Sequence, residues 1–175
     1  QDDFYMRYEI VPDKEKIIER WRSRGVNEVS VLHTRDPEKA SADGFADPLK
    51  SATAIWISGG SQQKIADAYL NTPVEDELYK LLERGGIIGG SSAGAAIQSR
   101  IMIRGGDSLP KISTGFDLFQ DEVIDQHLLK RNRLSRLIEA VRQNPELTGY
   151  GIDEGTAIIV SDKDISFAGH SYVLR

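Results

Sequence analysis

The stretch Gly86-Ile87-Ile88-Gly89-Gly90-Ser91-Ser92-Ala93-Gly94-Ala95-Ala96 passes from an apolar pair directly into a series of small residues. Two readings compete. In one, the isoleucines end a short buried strand, the glycines make a tight turn, and Ser91 or Ser92 caps a helix opening at Ala93. In the other, Gly90-Ser91-Ser92-Ala93-Gly94 is a G-x-S-x-G turn that lifts a serine toward a ligand. That turn needs small residues two before and two after the serine, because their backbones press on the adjoining strand and helix. Ser92 has Gly90 and Gly94 in those places; Ser91 has Gly89 and Ala93, a weaker fit. By itself the stretch leaves cap and elbow open.

Either reading needs a strand before the turn and a helix after it, and the flanking sequence repeats that alternation. Ala54–Ser58 (AIWIS) reads as a buried strand ending at Gly59-Gly60. Gln62–Leu70 and Val74–Glu83 read as helices, Gly86–Gly90 as a strand, and Ala93 to about Ile103 as a helix. Further on, Gly105–Gln120 is expected as loop and Glu122–Asp125 as a strand end. The spacing of Leu134, Leu137, Ile138 and Val141 predicts a helix over His127–Gln143, and Thr156–Val160 and Ile165–Ala168 are expected as strands. Toward the amino end, Lys14–Arg24 has helical spacing and Glu28–His33 is expected as a strand. Thr34–Ser51, polar and holding Pro37, Gly44 and Pro48, is expected as a mobile surface connection. The sum is an α/β fold with a mainly parallel sheet flanked by helices. Such sheets commonly open on a strand, and a missing amino-terminal strand would explain the opening helix.

With 175 residues, 39% hydrophobic and 28% charged, the chain fits one α/β domain over residues 1–175. Twenty-two basic residues against 27 acidic give a net charge of -5, so nothing electrostatic favours nucleic acid as a partner. No apolar run approaches the roughly 18 residues of a membrane span. The absence of cysteine excludes disulfides and thiol chemistry and leaves the compartment open. No histidine pair or acidic cluster has metal-ligand spacing, and no cofactor is implied.

A serine nucleophile needs a base, and the base needs an acid to fix its tautomer. Of the three histidines, His33 and His170 read as structural. His127 stands where Val123-Ile124-Asp125 turns into the next element, at a strand end facing the crevice of an open α/β sheet. In Gly151-Ile152-Asp153-Glu154-Gly155, Glu154 is the best third member and Asp153 a competitor. An oxyanion requires backbone N–H donors; Ala93 follows the serine, and Gly60 ends the neighbouring strand. Lys130, Arg131, Arg133, Arg136 and Arg142 form a basic run. It reads either as a solvated helix face or, in part, as a clamp for substrate carboxylates, with Arg133 and Arg136 neighbours on one face and Arg131 on another.

Four segments in order carry a family resemblance: Gly59-Gly60-Ser61-Gln62; Gly89-Gly90-Ser91-Ser92-Ala93-Gly94-Ala95; Asp125-Gln126-His127 through Arg131-Asn132-Arg133-Leu134-Ser135-Arg136-Leu137; and Gly151-Ile152-Asp153-Glu154-Gly155-Thr156-Ala157. Together they resemble cyanophycinase and its dipeptidase E relatives, closer to the cyanophycinase branch because the arginine-rich segment is present. The resemblance implies a class I glutamine-amidotransferase-like, flavodoxin-like three-layer fold. It also implies a serine exopeptidase with nucleophile Ser92, base His127, acid Glu154 and oxyanion donors Gly60 and Ala93. Gln62, Asp125, Gln126, Arg131, Arg133 and Arg136 inherit substrate-binding roles. The implied substrate is a small peptide or cyanophycin-like polymer with an aspartyl or β-aspartyl amide, and a homodimer stays open. Leu128 departs from the phenylalanine usual in cyanophycinases. The family's first strand and carboxyl-terminal strands are not evident, so the chain is expected to be a fragment or to fold with a partner segment. A non-catalytic acidic-ligand-binding protein and an esterase or amidase of unrelated substrate are the alternatives.

Overall fold

The computed structural model describes residues 12–161 and 164–175. The chain divides into two compact units, one ending at Thr34 and one running Arg35–Arg175. In the first unit, α1 (Lys14–Arg22) is capped by Asp13, whose side chain accepts from Lys16 N–H. The expected strand Glu28–His33 enters no ladder among the described residues.

In the second unit the expected mobile connection is ordered. Asp36 caps α2 (Pro37–Ala40), and α3 (Asp47–Lys50) follows. Ala40, Ala46 and Leu49 are buried, and Arg84 Nη2 donates to Leu49 O at 2.6 Å and Ala52 O at 3.0 Å. Prolines at the helix starts had read as breakers; in the first turn they cost no hydrogen bond. Then come β1 (Ala54–Ile57), α4 (Gln62–Tyr69), α5 (Pro73–Glu83) and β2 (Ile87–Gly90), with β1 and β2 parallel and in register from Ala54↔Ile87 to Ile57↔Gly90.

The helix after the serine turn is shorter than expected. It ends as α6 (Ala93–Ala96), because Ile97 O accepts from Phe116 N–H and Gln98 O from Leu118 and Phe119 N–H. Those carbonyls can no longer propagate a helix, and the isoleucine-rich segment behind them becomes β3 (Ile101–Gly105). It pairs antiparallel with β4 (Lys111–Thr114), within the expected loop. Next, β5 (Glu122–Gln126) leads to α7 (Leu134–Gln143), which begins seven residues later than the spacing suggested. His127 and Asn132 take left-handed φ values of 54° and 51°, and a turn closed by Arg133 N–H to Leu128 O occupies the interval. The unexpected β6 (Thr148–Ile152) pairs parallel with β5; its glycines let Leu137 and Leu128 pack against its backbone. The hairpin of β7 (Thr156–Ser161) and β8 (Asp164–Gly169) and the short β9 (Val173–Leu174), antiparallel to β6, complete the unit.

The fold is thus α/β, with parallel strands and packed helices of the flavodoxin-like kind, its parallel pairing divided between two ladders. One core cluster, around Val123, Leu128, Leu137 and Leu147, lies between α7 and the β5–β6 ladder. A second, around Ala66, Leu78, Ile97, Met102 and Phe116, lies beside β1 and β2. Each fully buried large apolar side chain contributes about 1.5–3 kcal/mol. The consequence for function is positional: parallel register brings the carboxyl ends of β1 and β2 level, and those of β5 and β6 level.

Candidate active site

Ser92 leaves β2 in a conformation that ordinary residues avoid, with φ 53° and ψ −110°. Such a residue costs about 1–3 kcal/mol and persists only where its surroundings enforce it. Here two close approaches do so. A Cβ on Gly90 would lie 2.1 Å from Gly94 O, and one on Gly94 would lie 1.9 Å from Ile57 O. The helix therefore sits directly on the ends of β1 and β2, and the serine between the glycines is pushed outward. Although Ser92 occupies the cap position of α6, its side chain makes no cap bond. Its Oγ lies 2.9 Å from His127 Nε2 instead.

His127 follows directly on β5, and Glu154 stands two residues beyond the paired end of β6, where Gln126 aligns with Ile152. His127 Nδ1 is 3.0 Å from Glu154 Oε1. A ring carrying its proton on Nδ1 donates to Glu154 and leaves Nε2 to accept from the Ser92 hydroxyl. The histidine side chain is largely enclosed and the glutamate half exposed, at 21% and 50%. Asp153, the competing acid, is engaged elsewhere. Its Oδ1 accepts from Leu129 and Lys130 N–H, both at 3.1 Å, and its Oδ2 from Ser171 Oγ at 2.8 Å. The Lys130 N–H first, and then the Ser171 hydroxyl, hold its carboxyl below the ordinary aspartate value.

The Gly59-Gly60 turn at the end of β1 borders the serine turn: a Cβ on Gly59 would be 3.4 Å from Ser91 O and from Ser92 Cβ. Gly60 has φ 137°, open to glycine and strained for other residues. Ala93 is the first residue of α6, so its N–H has no acceptor within the helix.

The expected substrate contacts separate into three sets. Asp125 and Arg136, at 1% and 2% exposure, bind each other rather than presenting a ligand surface. Arg136 Nε and Nη2 donate to the two Asp125 oxygens, both at 2.6 Å, and Nη1 donates to Gly106 O at 2.6 Å. This fork joins β5, α7 and the end of β3. Gln62 is likewise buried, with Nε2 donating to Ile103 O at 2.7 Å. Arg133 Nη1 bonds Gln126, donating to its backbone O at 2.8 Å and its Oε1 at 2.7 Å, beside His127. Arg131 is exposed and precedes α7, so the helical-face relation expected among these arginines does not apply. Sequence reasoning missed Ser99, whose buried Oγ accepts from Ile124 N–H at 3.1 Å and anchors β5. A serine within a supposed helix gave no signal of that role. Among the described residues no group of three or more metal-ligating side chains gathers.

An α/β chain that turns a strained serine toward a histidine backed by a carboxylate has the site architecture of serine hydrolases. The chain belongs to peptidase family S51, whose model matches residues 13–168. It is 33% identical over 178 aligned positions to a cyanophycinase of Synechococcus elongatus, covering 87% of this chain and 55% of that protein. To a cyanophycinase of Geminocystis herdmanii it is 32% identical, covering 85% and 58%. The chain thus spans somewhat over half the length of these curated relatives. Among solved structures, a peptidase from an acI-B1 Actinobacterium superposes with a TM-score of 0.67 at 27% identity, over 92% of this chain and 71% of that one.

Proposed function

We propose that the protein is a serine peptidase that hydrolyses aspartyl or β-aspartyl amide bonds in small peptides or a cyanophycin-like polymer through an acyl-enzyme. The observation that carries this reading is the continuous relay from Ser92 Oγ to His127 Nε2 at 2.9 Å and from His127 Nδ1 to Glu154 Oε1 at 3.0 Å, in an S51 chain. Ser92 Oγ attacks the amide carbonyl carbon while His127 Nε2 takes its proton, and Glu154 stabilises the imidazolium. Ala93 and Gly60 N–H receive the negative oxygen. The amine leaves with the proton from His127, and water, deprotonated by the same nitrogen, releases the acyl group and restores Ser92.

Binding of the acidic substrate group is assigned to Arg131 and Arg133, the second held beside His127 through Gln126. Gln62, Asp125 and Arg136 brace the surrounding elements through their bonds to Ile103 O, to each other and to Gly106 O. The identity of the relatives named cyanophycinase supports a β-linked aspartyl-arginine substrate. The purified protein is expected to release dipeptides from cyanophycin or to cleave β-aspartyl dipeptides, and Ser92→Ala is expected to lose that activity. Turnover that survives Ser92→Ala would refute the mechanism. Turnover of simple esters with none of the aspartyl amides would instead favour an esterase.

A further inference from the structure

The acid relay joins two turns that come from different elements; Leu128 N–H donates to Ile152 O at 3.2 Å at their base, and the side-chain link is the single His127–Glu154 bond of 3.0 Å. His127 precedes the turn that ends at Arg133, and Glu154 lies in the connection between β6 and β7. His127 adopts φ 54°, a conformation that costs energy in a non-glycine residue, and Glu154 is half exposed. A glutamate on an exposed turn samples several rotamers unless its backbone is fixed.

Asp153 supplies the fixation. One oxygen takes the N–H groups of both Leu129 and Lys130, within the turn that follows His127. The other takes the Ser171 hydroxyl, and Asp153 N–H donates to Tyr172 O at 3.1 Å. Ser171 is itself tied to the start of β7, its N–H donating to Thr156 Oγ1 at 3.0 Å, and His170 N–H donates to Gly155 O at 3.2 Å. The segment between β8 and β9 thus brackets Glu154 on its far side while Asp153 reaches back to the histidine turn. We propose that Asp153, braced by Ser171, is the positioning residue that sets the His127 Nδ1 to Glu154 Oε1 distance. It does not touch the reacting atoms.

This assignment rests on the proposed relay, but it has a readout of its own: the hydrogen-bonded Nδ1 proton of His127, followed by NMR in the resting protein and assigned by its loss in Glu154→Ala, which removes the acceptor. Asp153→Ala is expected to abolish that resonance while leaving the His33 and His170 ring signals in place. Asp153→Asn keeps a carbonyl oxygen for Leu129 and Lys130 N–H and is expected to retain it. With a β-aspartyl dipeptide, Asp153→Ala should lower kcat on the order of 100-fold with little change in KM, the scale of a roughly 1 Å misplacement, and Asp153→Asn should restore most of the loss. Ser171→Ala should give a smaller kcat loss in the same direction, and it serves where Asp153→Ala does not fold. A folded Asp153→Ala protein with an intact Nδ1 resonance and wild-type kcat would overturn the proposal, as would wild-type kcat in Ser171→Ala where Asp153→Ala does not fold. Failure of the peptidase reading would appear separately, as turnover that survives Ser92→Ala.

Discussion

Replacing Gly94 by alanine tests whether the serine turn is held by backbone contact. The added Cβ would stand 1.9 Å from Ile57 O and 2.6 Å from Ile57 C, where real Cβ contacts essentially never fall below 3.0 Å. The obstacle is backbone and not a side chain that could rotate away, so α6 and β1 must separate by about 1 Å. Overpacking of this kind costs typically 1–3 kcal/mol, and a backbone obstacle argues for the upper end, about 3 kcal/mol. The same shift moves Ser92 away from His127, which predicts a loss of about 100-fold in kcat, the cost of a misplacement on that scale. Urea unfolding followed by circular dichroism measures the first effect, and hydrolysis of a β-aspartyl dipeptide measures the second. Gly94→Ala with stability within about 0.5 kcal/mol of wild type, the ordinary range for an inconsequential surface change, and full activity would refute the reasoning about the turn.

Two further predictions concern groups around the site. Arg136→Ala leaves Asp125 buried without its bidentate partner and Gly106 O without a donor, and should cost about 3–5 kcal/mol in urea unfolding. Asp153 titrates in the folded protein below its unfolded value of roughly 3.9, so its contribution to stability is present above that value and is lost as pH falls through the lower folded value. Thermal melts across the acid range should therefore show a shallower decline for Asp153→Asn than for wild type.

Much of the local architecture was legible because it depends on neighbours in sequence. The glycines at 90 and 94 favour Ser92 over Ser91, and β1, β2 and β5 lie close to where their apolar runs predict. What escaped depends on contacts across the chain. The helix after Ala93 reads as long from its composition, yet residues 116–119 take the carbonyls that would extend it. Residues 127–133 carry enough helix formers to extend α7 backward, but left-handed His127 and Asn132 turn the chain before it starts. The basic run reads either as a solvated face or in part as a clamp, and for Arg136 neither reading names its partners because they are remote in sequence. Arg136 finds Asp125 eleven residues back and Gly106 thirty back. Likewise, the sequence prefers Glu154 and keeps Asp153 as a competitor, and the positions of His127 and Ser171 separate the surroundings of the two acids.

The central claim, that Ser92 becomes acylated with His127 as its base, is tested most directly by mass spectrometry of the protein quenched during turnover of an activated β-aspartyl substrate. An aspartyl adduct is expected on the peptide bearing Ser92, localised to that residue, and absent from Ser92→Ala and His127→Ala. An adduct on Ser91, or turnover of the same substrate that continues unchanged in Ser92→Ala, would contradict it.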